Sequence, residues 1–174
     1  AENKEERKEI IDTMIFQKSQ RYITTKSWDM FSEKENIVFY TKLDKNLNKI
    51  SNFHYSCIKL NNEIIATHLG FHDKQNFYYL MPSFDVKKYY IYSPGKILIE
   101  FLIEWAIKNN LQIFDFTVGN EYYKKLWSNK SFNIYDYEKS GSINGKIIIM
   151  LNNYKKLIKH IPFSRTIYNF LVRY

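Results

Sequence analysis

The stretch that decides the fold is NFYYLMPSFDVKKYYIYSPGKILIEFLIEWAIKNNLQIFDFTV, residues 76–118. It starts with an aromatic, strand-like run and continues into a long apolar helix over about 95–109. It ends in a second apolar run, 113–118, typical of a buried strand. Ser93 can cap the helix and Pro94 can occupy its first position. Strand, helix and strand in this order predict a parallel strand pair joined by a right-handed crossover.

Upstream of this unit, two further strand-like runs cover about 53–60 and 63–72. Asn61-Asn62 between them tolerates the left-handed backbone of a tight hairpin turn. With a third strand over 76–82, ended by Pro82, they predict an antiparallel meander. The fold class is therefore α/β (α+β), with a mixed central sheet in which the meander precedes the parallel strand-helix-strand unit.

The first fifty residues predict two helices. Residues 4–20 place apolar side chains at helical spacing, and so do residues 34–50, although the latter also contain a short run of strand-forming residues. No internal repeat or linker is visible, which predicts a single domain over 1–174. We divide it into leading helices 1–50, a catalytic core 51–150 and a basic tail 151–174.

The part beyond Gly119 predicts a short helix over 120–129 and two strands, Phe132 to Tyr137 and Gly145 to Met150. The basic amphipathic tail, 154–174, fits either a helix pair packed on its own domain or a surface lying on an anionic membrane.

The chain has 174 residues, is 18% aromatic and carries a formal charge of +8. This composition excludes a disordered protein as the main interpretation. The positive charge favours anionic partners without choosing among a phosphorylated cofactor, a polyanion and a membrane surface. No run approaches the roughly twenty apolar residues that span a bilayer. We therefore expect a cytoplasmic location, with membrane contact through the tail as the alternative.

No metal site is predicted. Cys57 is the only cysteine and lies in a strand-like run, so it is expected to be a buried structural thiol. His68 and His72 lie four apart on a strand, too far apart to share an ion. The two remaining histidines, His54 and His160, have no cluster of ligands around them in the sequence.

The entry to the long helix is a candidate anion site. The amino end of a crossover helix offers unpaired N–H groups and a positive dipole. Here Tyr92, Ser93, Gly95 and Lys96 supply a hydroxyl, a glycine and a cation, which suit a phosphate-bearing cofactor. The alternative is an ordinary capped helix in which Gly95 serves packing.

A second candidate follows the last strand, where Glu121, Tyr123, Lys124 and Trp127 come shortly after Gly119. A carboxylate can act as general base toward an amine, directly or through water, and an ammonium group can stabilise an oxyanion. The alternative is a solvated Glu-Lys pair with Tyr and Trp packed at the rim.

From about Leu60 to Trp127 the chain resembles the GNAT-like acetyltransferases that include proteins associated with cellulose and polysaccharide biosynthesis, which are relatives of the Fem peptidyltransferases. The combination of motifs in this order carries the resemblance. The motifs are Ile58 to Ala66, Phe84-Asp85, Tyr92-Ser93-Pro94-Gly95, Phe114-Asp115-Phe116, Gly119-Asn120-Glu121 and Tyr123-Lys124.

The resemblance implies transfer of an acyl group from acetyl-CoA or another acyl-CoA to an amine, without a metal or a covalent enzyme intermediate. The strands near Tyr79 and Phe116 would hold the pantetheine arm, and the turn from Ser93 to Lys96 the pyrophosphate. The family commonly has Asp where this chain has Asn120, so the resemblance implies that Glu121 is the acid or base. The resemblance implies that Glu121, Tyr123 and Lys124 are the catalytic residues, and that Asp115, Asn120 and Trp127 contact the substrate.

Two alternatives stay open at this point. An aminoacyl-tRNA donor, as in the Fem relatives, would use the same crevice and explain the basic charge. A degenerate, non-catalytic binding module would keep the fold without the chemistry. The acceptor, a small-molecule or glycan amine, is not identified by the sequence, and DNA is not an expected partner. The charged opening without an initiating Met fits the second half of a longer, two-half protein.

Overall fold

The computed structural model describes residues 1, 3–47, 52–135 and 137–159. The chain divides into two compact units, Ala1–Asn129 and Lys130–Tyr174, and each is described by itself. The expectation of one domain over 1–174 stays a prediction. The first unit contains α1 (Lys4–Thr25), α2 (Lys34–Leu47), β1 (Phe53–Leu60), β2 (Glu63–His72), β3 (Asn76–Phe84), α3 (Pro94–Lys108), β4 (Ile113–Asp115) and α4 (Tyr122–Trp127).

The two leading helices are confirmed. The Asn3 side chain caps α1 by accepting the Glu6 N–H at 2.8 Å. One face of α1 is buried and carries Ile10, Ile11 and Met14. These side chains form a core on one face of the sheet, together with Phe31, Leu43, Tyr55, Ile64 and Leu69.

The four strands lie in the order β1-β2-β3-β4. β1, β2 and β3 pair antiparallel, which confirms the meander. Its first turn has Asn61 and Asn62 at φ values of 49° and 66°, the left-handed region that asparagine tolerates. β4 pairs parallel with β3, as the strand-helix-strand pattern predicts.

α3 covers the opposite face of the sheet and forms a second core with Phe77, Tyr79 and Phe116. The charged residues of this helix, Lys96, Glu100, Glu104 and Lys108, are exposed, and so is part of its apolar surface. Phe101 is 57% exposed and Ile107 67% exposed. The buried stripe consists of Pro94, Leu98, Ile99, Leu102 and Ala106.

Two strand boundaries differ from the prediction. β3 continues through Pro82 to Phe84. The Asp85 N–H donates to Ile65 O on β2 at 3.0 Å. Because backbone direction alternates along a strand, Pro82 faces away from β2, where its missing N–H breaks no ladder bond. β4 covers only Ile113–Asp115 and is half-exposed, so the prediction of a buried strand over 113–118 is wrong.

The second unit contains α5 (Ile143–Lys159), so the prediction of a strand from Gly145 to Met150 is wrong. The β-branched run there favoured a strand, but the Ser142 hydroxyl accepts the Gly145 N–H at 3.1 Å, as a helix cap does. The other predicted strand, Phe132 to Tyr137, is wrong for its described residues, 132–135 and 137. Residues 160–174 of the predicted tail, with His160, lie outside the described part of the chain.

Candidate active site

An opening between β3 and β4 forms the centre of the candidate site. The last parallel pair joins Tyr78 to Asp115, and β4 ends there while β3 continues to Phe84. The Asp115 carboxylate accepts the Thr117 N–H at 2.6 Å, and Thr117 has a φ of 59°. This local turn directs the chain away from β3. The Thr117 hydroxyl donates to Tyr79 O at 3.4 Å, at the point where the opening begins.

A β-bulge lies at the same level of the sheet. Gly70 on β2 faces both Tyr79 and Leu80, where the β2–β3 register shifts. A Cβ on Gly70 would overlap the His68 ring and lie 2.7 Å from Tyr78 O, so only glycine fits. Bulges leave strand groups locally unpaired and often occur beside active sites. The sequence prediction missed this feature, although a glycine inside a strand pattern is a recognised signal of a bulge.

Aromatic rings form the floor of the opening. Phe116 is 7% exposed, and its ring centroid lies 5.6 Å from that of Tyr79 and 6.3 Å from that of Tyr123. Burial raises the pKa of Tyr79, with Tyr123 adding to the effect. Burial also raises the pKa of Tyr123, with the negative charge of Glu121 adding to it. The charge of Arg21 only partly opposes both shifts. Both phenols are therefore neutral hydrogen-bond donors at neutral pH.

Glu121 and Lys124 form an ion pair above this floor. The Lys124 ammonium lies 2.9 Å from a carboxylate oxygen of Glu121 and donates to Val118 O at 2.8 Å. Its side chain is only 11% exposed, whereas that of Glu121 is 51% exposed. Lys124 thus fixes the turn that leads into α4, and Glu121 presents its carboxylate to solvent.

The Glu121 carboxylate is ionised at neutral pH. Partial burial on its own raises the pKa of Glu121. Hydrogen bonds from Lys124 and from a backbone N–H, with the positive charges of Lys124 and Arg21, outweigh that effect and leave the pKa below its ordinary value. The group is therefore present as the base form across the physiological range.

Lys18 and Arg21 of α1 belong to this electrostatic environment, and the sequence analysis did not predict either of them. Burial lowers the pKa of Lys18 to about 8, repulsion from Arg21 adds to this, and attraction to Glu121 partly opposes it. Gln17, the residue before Lys18, bonds Ile64 O at 3.2 Å, which anchors this part of α1 on the sheet. Nothing in the local pattern relates residues that are a hundred positions apart, so the sequence offered no signal.

The predicted phosphate-binding turn lies at the beginning of α3. Ser93 is the N-cap residue with a φ of 50°, but its hydroxyl makes no capping bond, contrary to the expected cap. Lys96 is exposed in the first turn, and Tyr92 is 65% exposed. A Cβ on Gly95 would lie 3.1 Å from the Phe84 ring, which supports the packing role of this glycine over a close ligand approach.

The three predicted substrate contacts lie in different environments. Asp115 binds the backbone of its own turn. Asn120 is exposed, and Trp127 is half-buried against the α3 core. The structure therefore gathers Phe116, Glu121, Tyr123 and Lys124 at one end of the opening.

The opening joins this group to the turn before α3. Tyr79 lies at its beginning and Phe84, beside Gly95, at the other end of β3. They lie five positions apart along the strand, a distance of about 16 Å at about 3.3 Å per residue. A long, thin ligand with an anionic end fits such an arrangement.

Within the described ranges, no group of three or more metal-ligating side chains is present. Burial raises the pKa of the Cys57 thiol, which is free and half-buried. Among the helices that the structure describes, none is long and apolar enough to cross a membrane.

Comparison with known proteins identifies the class. The model of the acetyltransferase (GNAT) domain family matches residues 2–125. The chain therefore belongs to the GNAT acetyltransferase family, whose members generally use acetyl-CoA.

A solved structure supports the same fold. The crystal structure of a possible acetyltransferase from Clostridium difficile 630 aligns with a TM-score of 0.54 at 15% identity. The alignment covers 76% of this chain and 93% of that one. No curated protein matches the sequence. The mixed α/β fold predicted from the sequence is thus confirmed.

Proposed function

We propose that this protein is an N-acyltransferase that moves an acetyl or other acyl group from acyl-CoA to an amine. The observation that carries the proposal is the opening between β3 and β4 in a member of the GNAT family. It has an ionised carboxylate, Glu121, at one end and the amino end of α3 at the other.

For the donor, the residues present fit a long molecule with a phosphate group. The first turn of α3 has Lys96 and the positive end of a helix of 15 residues. The β3 segment 80–84 extends beyond β4 and offers backbone carbonyls to an amide-bearing arm. Acetyl-CoA, when bound, supplies the activated thioester.

For the transfer, Glu121 removes a proton from the acceptor amine, directly or through one water. Its exposed carboxylate faces the solvent from which an acceptor enters. The neutral Tyr123 hydroxyl, close to the Phe116 ring, is a candidate donor to the developing oxyanion. Holding both reactants in one crevice supplies a large part of the rate.

The finer assignments are also proposals. The link to cell-surface polysaccharide or envelope metabolism, the relation to Fem proteins and the cytoplasmic location, with or without peripheral membrane contact, rest on the sequence alone. Neither aminoacyl-tRNA nor a purely scaffolding role gains support from a specific contact.

Calorimetry of the whole chain with acetyl-CoA tests the donor, and release of free thiol in the presence of a panel of amines tests the reaction. We expect saturable binding, weakened in Lys96→Ala, and thiol release that depends on the amine. Binding of aminoacyl-tRNA without binding of acetyl-CoA would replace the donor. Binding of acetyl-CoA without turnover for any acceptor would favour the non-catalytic module.

A further inference from the structure

Helix α1 crosses one face of the sheet and reaches the candidate active site. Glu9 pairs with Lys59 on β1 at 2.8 Å. About two turns later, the Gln17 side chain donates to Ile64 O on β2 at 3.2 Å and accepts the Ser83 hydroxyl of β3 at 2.8 Å. Ser83 lies in the part of β3 that continues beyond β4. The next turn of α1 therefore passes over the opening between β3 and β4.

Lys18 and Arg21 are the cations of that turn. They lie three positions apart and so share one side of the helix. Arg21 follows Gln17 by four positions and continues the buried stripe of α1 that carries Met14. Arg21 is nevertheless exposed, and Lys18 is half-buried. Exposure on the face that packs against the sheet indicates that α1 has passed the last strand beneath it.

Neither cation is paired with a carboxylate. Among the ion pairs of the described residues, none involves Lys18 or Arg21. The carboxylate of Glu121 is bound by Lys124 at 2.9 Å, so those two charges balance each other. Burial and repulsion from Arg21 lower the pKa of Lys18 to about 8, and attraction to Glu121 only partly opposes this. A bound anion would relieve the repulsion between the two cations.

The charge of Arg21 reaches the groups assigned to the reaction. It helps to lower the pKa of Glu121 and opposes the rise in the pKa values of Tyr79 and Tyr123. The turn proposed for the donor phosphate, with Lys96, lies at the other end of the opening. The two cations of α1 are therefore on the side of the opening assigned to the acceptor.

We propose that Lys18 and Arg21 form an anion subsite for the acceptor, so that the acceptor is an amine that also carries a carboxylate or a phosphate. The Arg21 guanidinium can hold either group through two parallel N–H bonds, and the Lys18 ammonium adds a point charge. This subsite rests on the proposed acyl transfer and directs the acceptor amine toward Glu121. There the amine nitrogen bonds the thioester carbonyl carbon and the carbon–sulfur bond breaks. The amine proton passes to Glu121, and the thiolate that leaves takes a proton from water.

The test measures release of free thiol from acetyl-CoA by the whole chain with matched amines. Glycine, β-alanine and 4-aminobutyrate, which differ in spacing, are each compared with the corresponding amide, and phosphoethanolamine is compared with ethanolamine. We expect kcat/KM for at least one anionic amine to exceed that of its neutral partner by about tenfold or more. Loss of the anion lowers the basicity of the amine, so the neutral partner has the larger unprotonated fraction. A preference for the anionic member therefore does not reflect amine protonation.

Three variants separate this role from a structural one. Arg21→Gln should bring the ratio of kcat/KM between the anionic and the neutral amine close to one, and Arg21→Glu should favour the neutral amine. Lys4→Gln is the control, because it removes a positive charge from an exposed position at the other end of α1, about 26 Å away. The ratio in Lys4→Gln should equal that of the native chain.

Equal kcat/KM for anionic and neutral amines in the native chain, or an unchanged ratio in Arg21→Gln, would overturn the subsite. An equal loss of acetyl-CoA affinity in Arg21→Gln and Lys96→Ala would assign Arg21 to the donor and overturn it as well. If no amine is acetylated, acyl transfer to this class of amine fails, and binding to the ¹⁵N-labelled chain decides the subsite separately. The anionic amine should then shift the resonances of residues 17–22 and its neutral partner should not, and equal shifts would overturn the proposal.

Discussion

The Lys124 ammonium lies 2.9 Å from the Glu121 carboxylate, and the same ammonium donates to Val118 O at 2.8 Å. With both bonds made, the side chain is only 11% exposed. We infer that Lys124 positions Glu121 and the turn before α4, while Glu121 alone faces the solvent as the proton acceptor. The sequence prediction had assigned a catalytic role to both.

Replacing Lys124 by Met should raise the pKa of Glu121, because the hydrogen bond and positive charge of Lys124 help to lower it. A carboxylate with a lowered pKa stays ionised down to that pKa, so removing Lys124 should move the acidic limb of kcat/KM to higher pH. The shift should be at most about one pH unit, since Glu121 is half-exposed.

Lys124→Arg keeps the charge and should keep the acidic limb near its native position. Glu121→Gln should lower kcat by about 100-fold or more without changing the urea midpoint. An unshifted pH profile in Lys124→Met would contradict the positioning role, and full turnover in Glu121→Gln would remove Glu121 from the chemistry.

Gly119→Ala should disturb the same turn. Gly119 has a φ of 134°, and a Cβ there would overlap the Glu121 carboxylate and lie 2.8 Å from the Lys124 ammonium. We expect a loss of about 1–3 kcal/mol in the free energy of unfolding, measured with urea, together with reduced turnover. Gly141→Ala is the matched control because open space surrounds that position. Equal stability of the two variants would show that the turn is not constrained.

Local chemistry explains which parts of the fold could be predicted. The predicted ends of β1 and β2 beside Asn61-Asn62 agree with the structure, because a two-residue turn with left-handed backbone fixes both ends. The run Ile147 to Ile149 misled the prediction, since β-branched residues favour strands and the Ser142 cap decides for a helix instead.

The candidate site could be predicted only in part. Glu121 and Lys124 lie one turn apart, so their pairing is local and visible in the sequence. Lys18 and Arg21 act on Glu121 across the fold, and the Gly70 bulge depends on strand pairing. Such contacts between distant segments leave no trace in a local pattern.

Lys96→Ala should raise the KM for acetyl-CoA several-fold with little change in kcat, if the beginning of α3 binds phosphate. The effect should weaken with added salt, because the ammonium is exposed. Lys108→Ala removes the same charge from the other end of the helix and should leave KM unchanged. An equal rise in KM for both variants would indicate a general charge effect and no local phosphate site.

Lys18→Met should stabilise the protein at pH 7. Burial and Arg21 lower the pKa of Lys18 to about 8 in the folded state, so protonated Lys18 disfavours folding below that pH. The penalty is relieved as the pH rises from about 8 toward the ordinary value of 10.5. We expect a gain on the order of 1–2 kcal/mol in urea unfolding at pH 7, declining at pH 10. Lys26→Met, at an exposed position after α1, is the control, and equal effects would contradict the assignment.

A buried histidine, His68, and a half-buried one, His54, should make the fold sensitive to acid. His68 is fully buried and stacks on Tyr79 at 4.8 Å, and its ring centroid lies 6.1 Å from that of His54. Both His68 nitrogens and His54 Nδ1 have no hydrogen-bond partner among the described residues. Burial lowers the pKa of His54 to about 4, with repulsion from the Ala1 ammonium and His72 adding to it. Burial, with repulsion from His54 and Lys18, also holds the pKa of His68 well below its ordinary value.

The unfolded chain takes up these protons below about pH 6.5, whereas the folded protein resists them until about pH 4, so acid favours unfolding throughout that window. Between pH 7 and pH 4.5, the free energy of unfolding measured with urea should fall on the order of 1–3 kcal/mol more in the native protein than in variants that lack either histidine. His54→Phe and His68→Phe keep an aromatic ring in place and remove the titrating group, so each should flatten the pH dependence. If native protein and variants lose the same free energy between these pH values, carboxylates and not histidines govern the acid response.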